Sequence, residues 1–314
     1  MGPALCLFSA ACFGAMAIFG KLAYAAGVSP GALLLLRFSV AAVLLGLLLA
    51  LRPGLRTMRP GSERPVGATR ARLLGTAFGL GALGYASQAT LYFSALQRID
   101  ASLVALVLYT YPALVTVAAA LLGRERLTAG RSAALVVASC GTLLVLLGAG
   151  GFGFDPVGVG LAFGAAITYT VYILVADTVV HRMSPVMLAA SVMTGASAAL
   201  AARAVLAGGV EFGFRSSGWL WIACIAVLST VVATLAFFAG LRRTGPSTAA
   251  ILSTFEPVVT TALAALTLNE FLTPVQLAGG LVVLSSVAVL QLRPRRATAS
   301  AGRDDILTPE PVVQ

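Results

Sequence analysis

Long apolar runs, parted by short polar joints, follow one another along the chain. Ten of them stand out, over 4–24, 31–51, 73–96, 101–122, 132–150, 157–180, 185–207, 219–241, 246–267 and 274–292. Each is close to the roughly 20 residues that carry a helix across a bilayer. None shows the short apolar–polar alternation of a barrel strand. The joints carry turn chemistry in "GVSP", "RPG", "GFGFDP", "RMSP" and "RTGPS". The pattern therefore predicts an all-α polytopic membrane protein with ten transmembrane helices. Composition agrees: 59% of the 314 residues are hydrophobic, only 10% are charged, and mean hydropathy is +0.97. A soluble fold of this size could not hide so much apolar surface.

Charge adds the topology. The net charge of +10 does not point to nucleic acid, because the basic residues sit in short loops between apolar runs. Sixteen fall on the side of the loops after spans 2, 4, 6 and 8 and the C-terminal tail, against three (Arg98, Arg203, Arg215) on the other side. The positive-inside rule then places both termini in the cytosol of a cell whose plasma membrane holds the protein. The opening "MGPALCLFSAACFGAMAIFG" has no basic region ahead of its apolar stretch, so it reads as a retained first span, with the true start lying slightly upstream. The tail, 293–314, is too polar to pack and is expected to be disordered. Cys6, Cys12, Cys140 and Cys224 have neither metal-ligand nor disulfide spacing and read as small buried hydrophobes; His181 reads as a loop residue. No metal or cofactor is expected. "GLGALG" at 79–84 mimics a dinucleotide motif but lies inside an apolar run, without the strand that motif needs. With Gly75 it gives "GTAFG", a small-residue face for helix packing.

The chain also repeats itself. "SLVALVLYTYPALVTVAAALLGRERLT" (102–128) aligns without a gap on "STAAILSTFEPVVTTALAALTLNEFLT" (247–273), an offset of 145 residues. "YFSALQR" and "FFAGLRR" keep the same offset. Two halves follow, 4–150 and 157–292, each of five helices. Because five is odd, the second half starts on the opposite side of the membrane, so the repeats are inverted, as in many secondary transporters. The segments "LLLLRFSVAA", "YPALVTVAAALLGRERLT" and "EPVVTTALAALTLNEFLTPVQLAGGLVV" resemble the EamA family of the drug/metabolite transporter superfamily over about residues 4–292. That resemblance implies transport of amino acids, other metabolites or toxic compounds, often outward.

Candidate site residues are the polar groups that an apolar helix has no other reason to carry. Glu256 lies about eleven residues, or roughly 16 Å, into span 9, near mid-bilayer. Ionised there it costs on the order of 3 kcal/mol, so it should face inward, be paired or be protonated. Ser253, Glu256, Thr260 and Thr267 share one helical face. Glu256 serves for cation recognition, proton coupling, pairing with Arg37, or a helix-to-helix tie. Arg37, about six residues into span 2, either receives a substrate carboxylate or snorkels, and Lys21 snorkels. Tyr85, Gln88 and Tyr92 form a polar stripe on span 3. Tyr109 and Tyr111 on span 4, with Tyr169 and Tyr172 on span 6, add aromatic surface for an organic solute or for plain helix packing. Pro112 and Pro257, matched by the repeat, are hinge candidates at equal depth from opposite faces. Trp219 and Trp221 read as interfacial anchors. Glu125 and Glu270 sit at turns just ahead of helix starts, with Thr128 and Thr273 as N-caps.

The expectation is a secondary active transporter, not an enzyme. It would move a small organic metabolite by alternating access in a lipid membrane, with proton coupling through Glu256 and, from the resemblance alone, in the export direction. The rivals are an intramembrane enzyme or flippase acting on lipid-linked substrates and a non-transporting scaffold. No catalytic set or P-loop is visible to support enzyme chemistry or direct ATP use.

Overall fold

The computed structural model describes residues 2–56, 66–123, 155–180, 182–244, 252–253 and 255–292, with seven scattered positions between 133 and 147. Its elements are α1 (Gly2–Ala25), α2 (Pro30–Leu51), α3 (Val66–Gly79), α4 (Ala86–Leu96), α5 (Ala101–Leu108), α6 (Tyr111–Leu121), α7 (Pro156–Val180), α8 (Pro185–Leu206), α9 (Ser217–Ala226), α10 (Ala233–Thr244), α11 (Phe255–Leu268) and α12 (Pro274–Leu292). No strand occurs among the described residues beyond an isolated bridge at Met183. The expected fifth span at 132–150, the tail, Glu125, Thr128 and His181 lie largely or wholly outside the described residues.

Local chemistry sets where the helices begin. Ser29 and Ser184 cap α2 and α8, each accepting a backbone N–H three residues on, and Pro30 and Pro185 follow at the first helical position. Thr273 caps α12, as expected. Its Oγ1 accepts from the Gln276 amide while the Gln276 Oε1 accepts from the Thr273 amide at 2.8 Å, a reciprocal capping box. Asp155 accepts the Val157 amide at the start of α7 and pairs with Arg98 at 3.0 Å. The Arg98 hydrogen bond, ahead of the backbone amides, holds Asp155 below its ordinary value.

Among the described residues, five helical stretches are long and apolar enough to cross a membrane, the fifth (Ser217–Phe237) running from α9 into α10. The bundle is apolar outside as well as within: Val43, Leu83, Leu121, Leu206 and Leu266 are all exposed. Arg37, Gln88, Thr230 and Thr260 are buried. That distribution suits a lipid surround rather than water. Helix α1 packs against α9, α10 and α11, while α2 and α3 pack on α8, and α4 and α6 on α7.

Among the described residues, backbone irregularities fall in three spans. The third span, expected as a continuous helix, contains a π-turn at Leu80–Tyr85 between α3 and α4. The eighth has its own at Val227–Val232 between α9 and α10. The fourth is not one helix: α5 ends at Leu108 and α6 begins at Tyr111, one residue ahead of Pro112. Proline cannot donate to the carbonyl four residues back, and the ladder opens there.

The "GTAFG" expectation needs correction. A Cβ on Gly75 or Gly79 would meet nothing within 4 Å. The close crossing is one turn on, where a Cβ on Gly81 would collide with the Val192 backbone and one on Gly195 with the Phe78 carbonyl. Cysteine burial is also only half as read: Cys6 and Cys12 are buried, but Cys140 is exposed and Cys224 intermediate.

Candidate functional site

Each backbone irregularity carries a polar side chain, and these side chains converge. On α2, Arg37 is 1% exposed. Its Nε donates to Thr230 Oγ1 at 2.9 Å and its Nη2 to the Tyr85 hydroxyl at 3.2 Å. Tyr85 ends the first π-turn and Thr230 lies in the second. The repeat offset carries one onto the other, since 85 + 145 = 230. A guanidinium on α2 thus joins two positions that lie one repeat offset apart in the sequence. Its carbon also lies 4.9 Å from the Phe38 ring centroid and 5.5 Å from that of Phe93, within cation–π range. Arg37 therefore does not snorkel. No carboxylate lies within ion-pair distance of it among the described residues, so the expected pairing with Glu256 is not formed.

Glu256 lies in the first turn of α11, just before Pro257. Tyr109, at the break between α5 and α6, places its hydroxyl 3.0 Å from Glu256 Oε2 and 2.5 Å from the Ser253 carbonyl. That carbonyl is the one four residues before Pro257, which an ordinary helix would satisfy with a backbone N–H. Behind it, Thr260 Oγ1 donates to the Gly14 carbonyl of α1 at 3.0 Å. A Cβ on Gly14 would sit 2.8 Å from the Glu256 carbonyl oxygen, so α1 and α11 touch backbone to backbone. The inward face foreseen for this helix stops short of Thr267, which is exposed.

An unbroken run of rings joins the two ends. Phe38 meets Tyr85 at 5.2 Å, Tyr85 stacks on Tyr172 at 5.6 Å, and Tyr172 stacks on Tyr169 at 5.9 Å. Tyr169 meets Tyr111 edge-on at 4.8 Å, and Tyr111 meets Tyr109 at 5.5 Å. Tyr85, Tyr111, Tyr169, Tyr172 and Glu256 are half-buried, keeping part of their surface accessible. Gln88 and Tyr92 are buried on α4. Of the expected site residues, hydrogen bonds and ring contacts link Arg37, Tyr85, Tyr172, Tyr169, Tyr111 and, through Tyr109, Glu256, with Pro257 next in sequence; Gln88 and Tyr92 are not in that run, and the Pro112 side chain lies outside the described residues. Thr230 was missed. The repeat offset from Tyr85 was the signal that could have found it.

A second cluster lies apart from this one. Lys21 Nζ donates to the Ile99 carbonyl at 2.9 Å and sits 3.5 Å from Glu270 Oε1, so it is paired rather than snorkelling. Glu270 Oε2 accepts the Ala101 amide at 2.7 Å, capping α5 rather than its own helix. Burial pushes the Glu270 carboxyl above its ordinary value, against the opposing pull of Lys21. This is a structural tie of α1, α5 and the α11–α12 loop. Glu270→Ala is expected to lower stability by about 1–2 kcal/mol, the range of a lost cap, and Glu270→Gln by less; thermal unfolding in detergent checks both.

A multi-pass helical bundle, apolar outside, with polar and aromatic side chains gathered at breaks in its helices, belongs to the class of membrane transporters. The EamA-like transporter family matches residues 1–147 and 156–292. The chain belongs to that family. It is 28% identical over 290 residues to an uncharacterized transporter of Bacillus subtilis, covering 88% of each chain. An uncharacterized transporter of Archaeoglobus fulgidus is 26% identical over 238 residues, covering 75% of this chain and 82% of that one. Among solved structures, one crystal structure superposes with a TM-score of 0.63 at 20% identity, covering 92% of this chain and 95% of the other, a likeness of fold.

Proposed function

We propose that this protein is a secondary active transporter that carries a small organic solute across the plasma membrane by alternating access. In this reading ten helices form two inverted five-helix halves, 4–150 and 157–292, with both termini and the 293–314 tail in the cytosol, and the solute leaves the cell. The odd helix count per half and the arginine bias of the loops support that topology. The observation that carries the reading is the run of tyrosines from Arg37 to Glu256. A solute with an anionic group would meet the guanidinium, its body would lie on the ring faces, and a cationic group or a proton would meet the carboxyl. Pro112 and Pro257, with the two π-turns, supply the hinges, because helix breaks are where a span can bend without tearing its ladder.

Liposomes holding the purified protein test this with a panel of labelled amino acids and small metabolites, with and without a pH gradient. Wild type is expected to move at least one solute. Glu256→Gln is expected to cut that flux at least about tenfold, as losing one charge-assisted contact of about 1.5–3 kcal/mol would do, and to remove its response to the pH gradient. Flux and pH response that are the same in both proteins would make Glu256 a helix tie.

A further inference from the structure

The guanidinium of Arg37 has N–H hydrogens to give and no acceptor. Among the described residues, two oxygens receive them: Thr230 Oγ1 from Nε at 2.9 Å and the Tyr85 hydroxyl from Nη2 at 3.2 Å. These two hydroxyls differ in what they have left. Thr230 spends its own hydrogen on the Ile225 carbonyl at 2.8 Å. Tyr85 faces a group that can only donate, so the phenol is the acceptor there and keeps its own hydrogen. No hydrogen bond among the described residues uses that hydrogen, and Tyr85 is half-buried while Arg37 is 1% exposed. Around the guanidinium carbon lie the rings of Phe38, Tyr85 and Phe93. This end of the ring run therefore offers a ligand donors and one positive charge. No carboxylate lies within ion-pair distance of it among the described residues.

We propose that this end of the site selects a solute bearing a free carboxylate on a flat body, and that Tyr85 is a specificity-determining residue, donating its phenolic hydrogen to the carboxylate that Arg37 holds. The substrate class named here rests on the transporter reading. A carboxylate carries acceptors on both oxygens and no hydrogen, so guanidinium and phenol are satisfied together. A primary amide brings hydrogens of its own into a place lined by donors, and it lacks the charge that Arg37 needs. Donors left unmet away from water are what make such a site reject an analogue. A dianionic phosphate ester suits the donors but not the charge. One guanidinium, with neutral hydroxyls and rings beyond it, leaves the second negative charge unpaired. The flat body follows from the next rings. Tyr172 stacks on Tyr85 with 28° between the ring planes, and Tyr169 on Tyr172 with 10°. Their faces run nearly parallel, and a planar group extending from the carboxylate lies along them.

Three probes with one phenyl body and different heads test this on the full-length protein in detergent at neutral pH: benzoate, benzamide and phenyl phosphate, the last largely a dianion there. Binding is read from the rise of the thermal unfolding midpoint with probe concentration. Wild type is expected to be stabilised by benzoate and to bind benzamide and phenyl phosphate at least about tenfold more weakly. Tyr85→Phe keeps the ring between Phe38 and Tyr172 and removes the hydroxyl. It is expected to weaken benzoate at least about tenfold, to leave benzamide nearly unchanged, and so to narrow the ratio between them. Arg37→Leu is expected to lose the preference for benzoate altogether. No stabilisation of wild type by benzoate, or equal stabilisation by benzamide or phenyl phosphate, would overturn the carboxylate assignment. A fall in Tyr85→Phe shared equally by benzoate and benzamide would overturn the role given to the hydroxyl, since a packing change moves both alike. The transport reading fails separately. Benzoate binding without flux of any carboxylate across liposomes would count against transport alone, and flux only of solutes without a carboxylate would count against the carboxylate alone.

Discussion

Arg37→Leu is expected to reduce solute flux at least about 100-fold while leaving the protein as stable as wild type or more so. The two halves of that result come from the same observation. The guanidinium is buried, yet its partners are a threonine hydroxyl, a tyrosine hydroxyl and three aromatic rings, all of them neutral. Holding a charge away from water with neutral partners costs several kcal/mol, and replacing it with an apolar side chain removes that cost. Few polar groups are stranded by the change. Thr230 Oγ1 keeps its bond to the Ile225 carbonyl at 2.8 Å, and the Tyr85 hydroxyl is on a half-buried residue. Flux falls because a carboxylate brought into the site would find no fork to bind, and one such contact is worth roughly 3 kcal/mol when desolvated. Arg37→Lys should recover little, since one ammonium cannot span Thr230, Tyr85 and a carboxylate together. Flux assays paired with thermal unfolding check this. A variant that loses flux and stability together would make Arg37 a packing residue.

The second large effect concerns folding. Gly81→Leu is expected to destabilise the bundle by about 3 kcal/mol or more, the upper end of overpacking, and to leave little folded protein in detergent. The atom in the way is a backbone carbonyl on α8, which cannot swing aside as a flexible side chain would. Gly195→Leu should behave alike, because it faces the Phe78 carbonyl across the same crossing. The control lies on the adjoining helix. Gly75→Ala meets open space and should be neutral or stabilising by up to about 1 kcal/mol, the helix-propensity difference. Unfolding curves of the three variants separate crowding at one contact from a general intolerance of glycine replacement.

Much of this architecture was legible in the chain, for reasons that are local. Where a helix starts depends on a few neighbouring residues, so "GVSP" and "RMSP" read as joints, where the structure shows Ser29 and Ser184 as caps, and Thr273 could be read as a cap directly. That a run of about 20 apolar residues becomes a helix follows from the backbone's need for hydrogen bonds in lipid. Tyr85, Tyr111, Tyr169, Tyr172, Arg37 and Glu256 stood out because polar groups in such runs need a reason to be there. The "GTAFG" face failed because small residues permit a close approach without saying which of several glycines receives it. Lys21 was misread for a related reason: its partner, Glu270, is 249 residues away along the chain.

By itself, then, the sequence determined the all-helical membrane class of the fold and the short set of residues from which a site could be built. Each of these depends on composition or on spacing within a turn or two. Only the tertiary structure decided which of those residues meet. It placed Arg37 on Thr230 and Tyr85 rather than on Glu256, and Tyr109 on the Ser253 carbonyl and Glu256. It also set the crossing at Gly81 and Gly195. Such pairings depend on the rotation and depth of helices far apart in the chain, and these are settled only when all the helices pack at once.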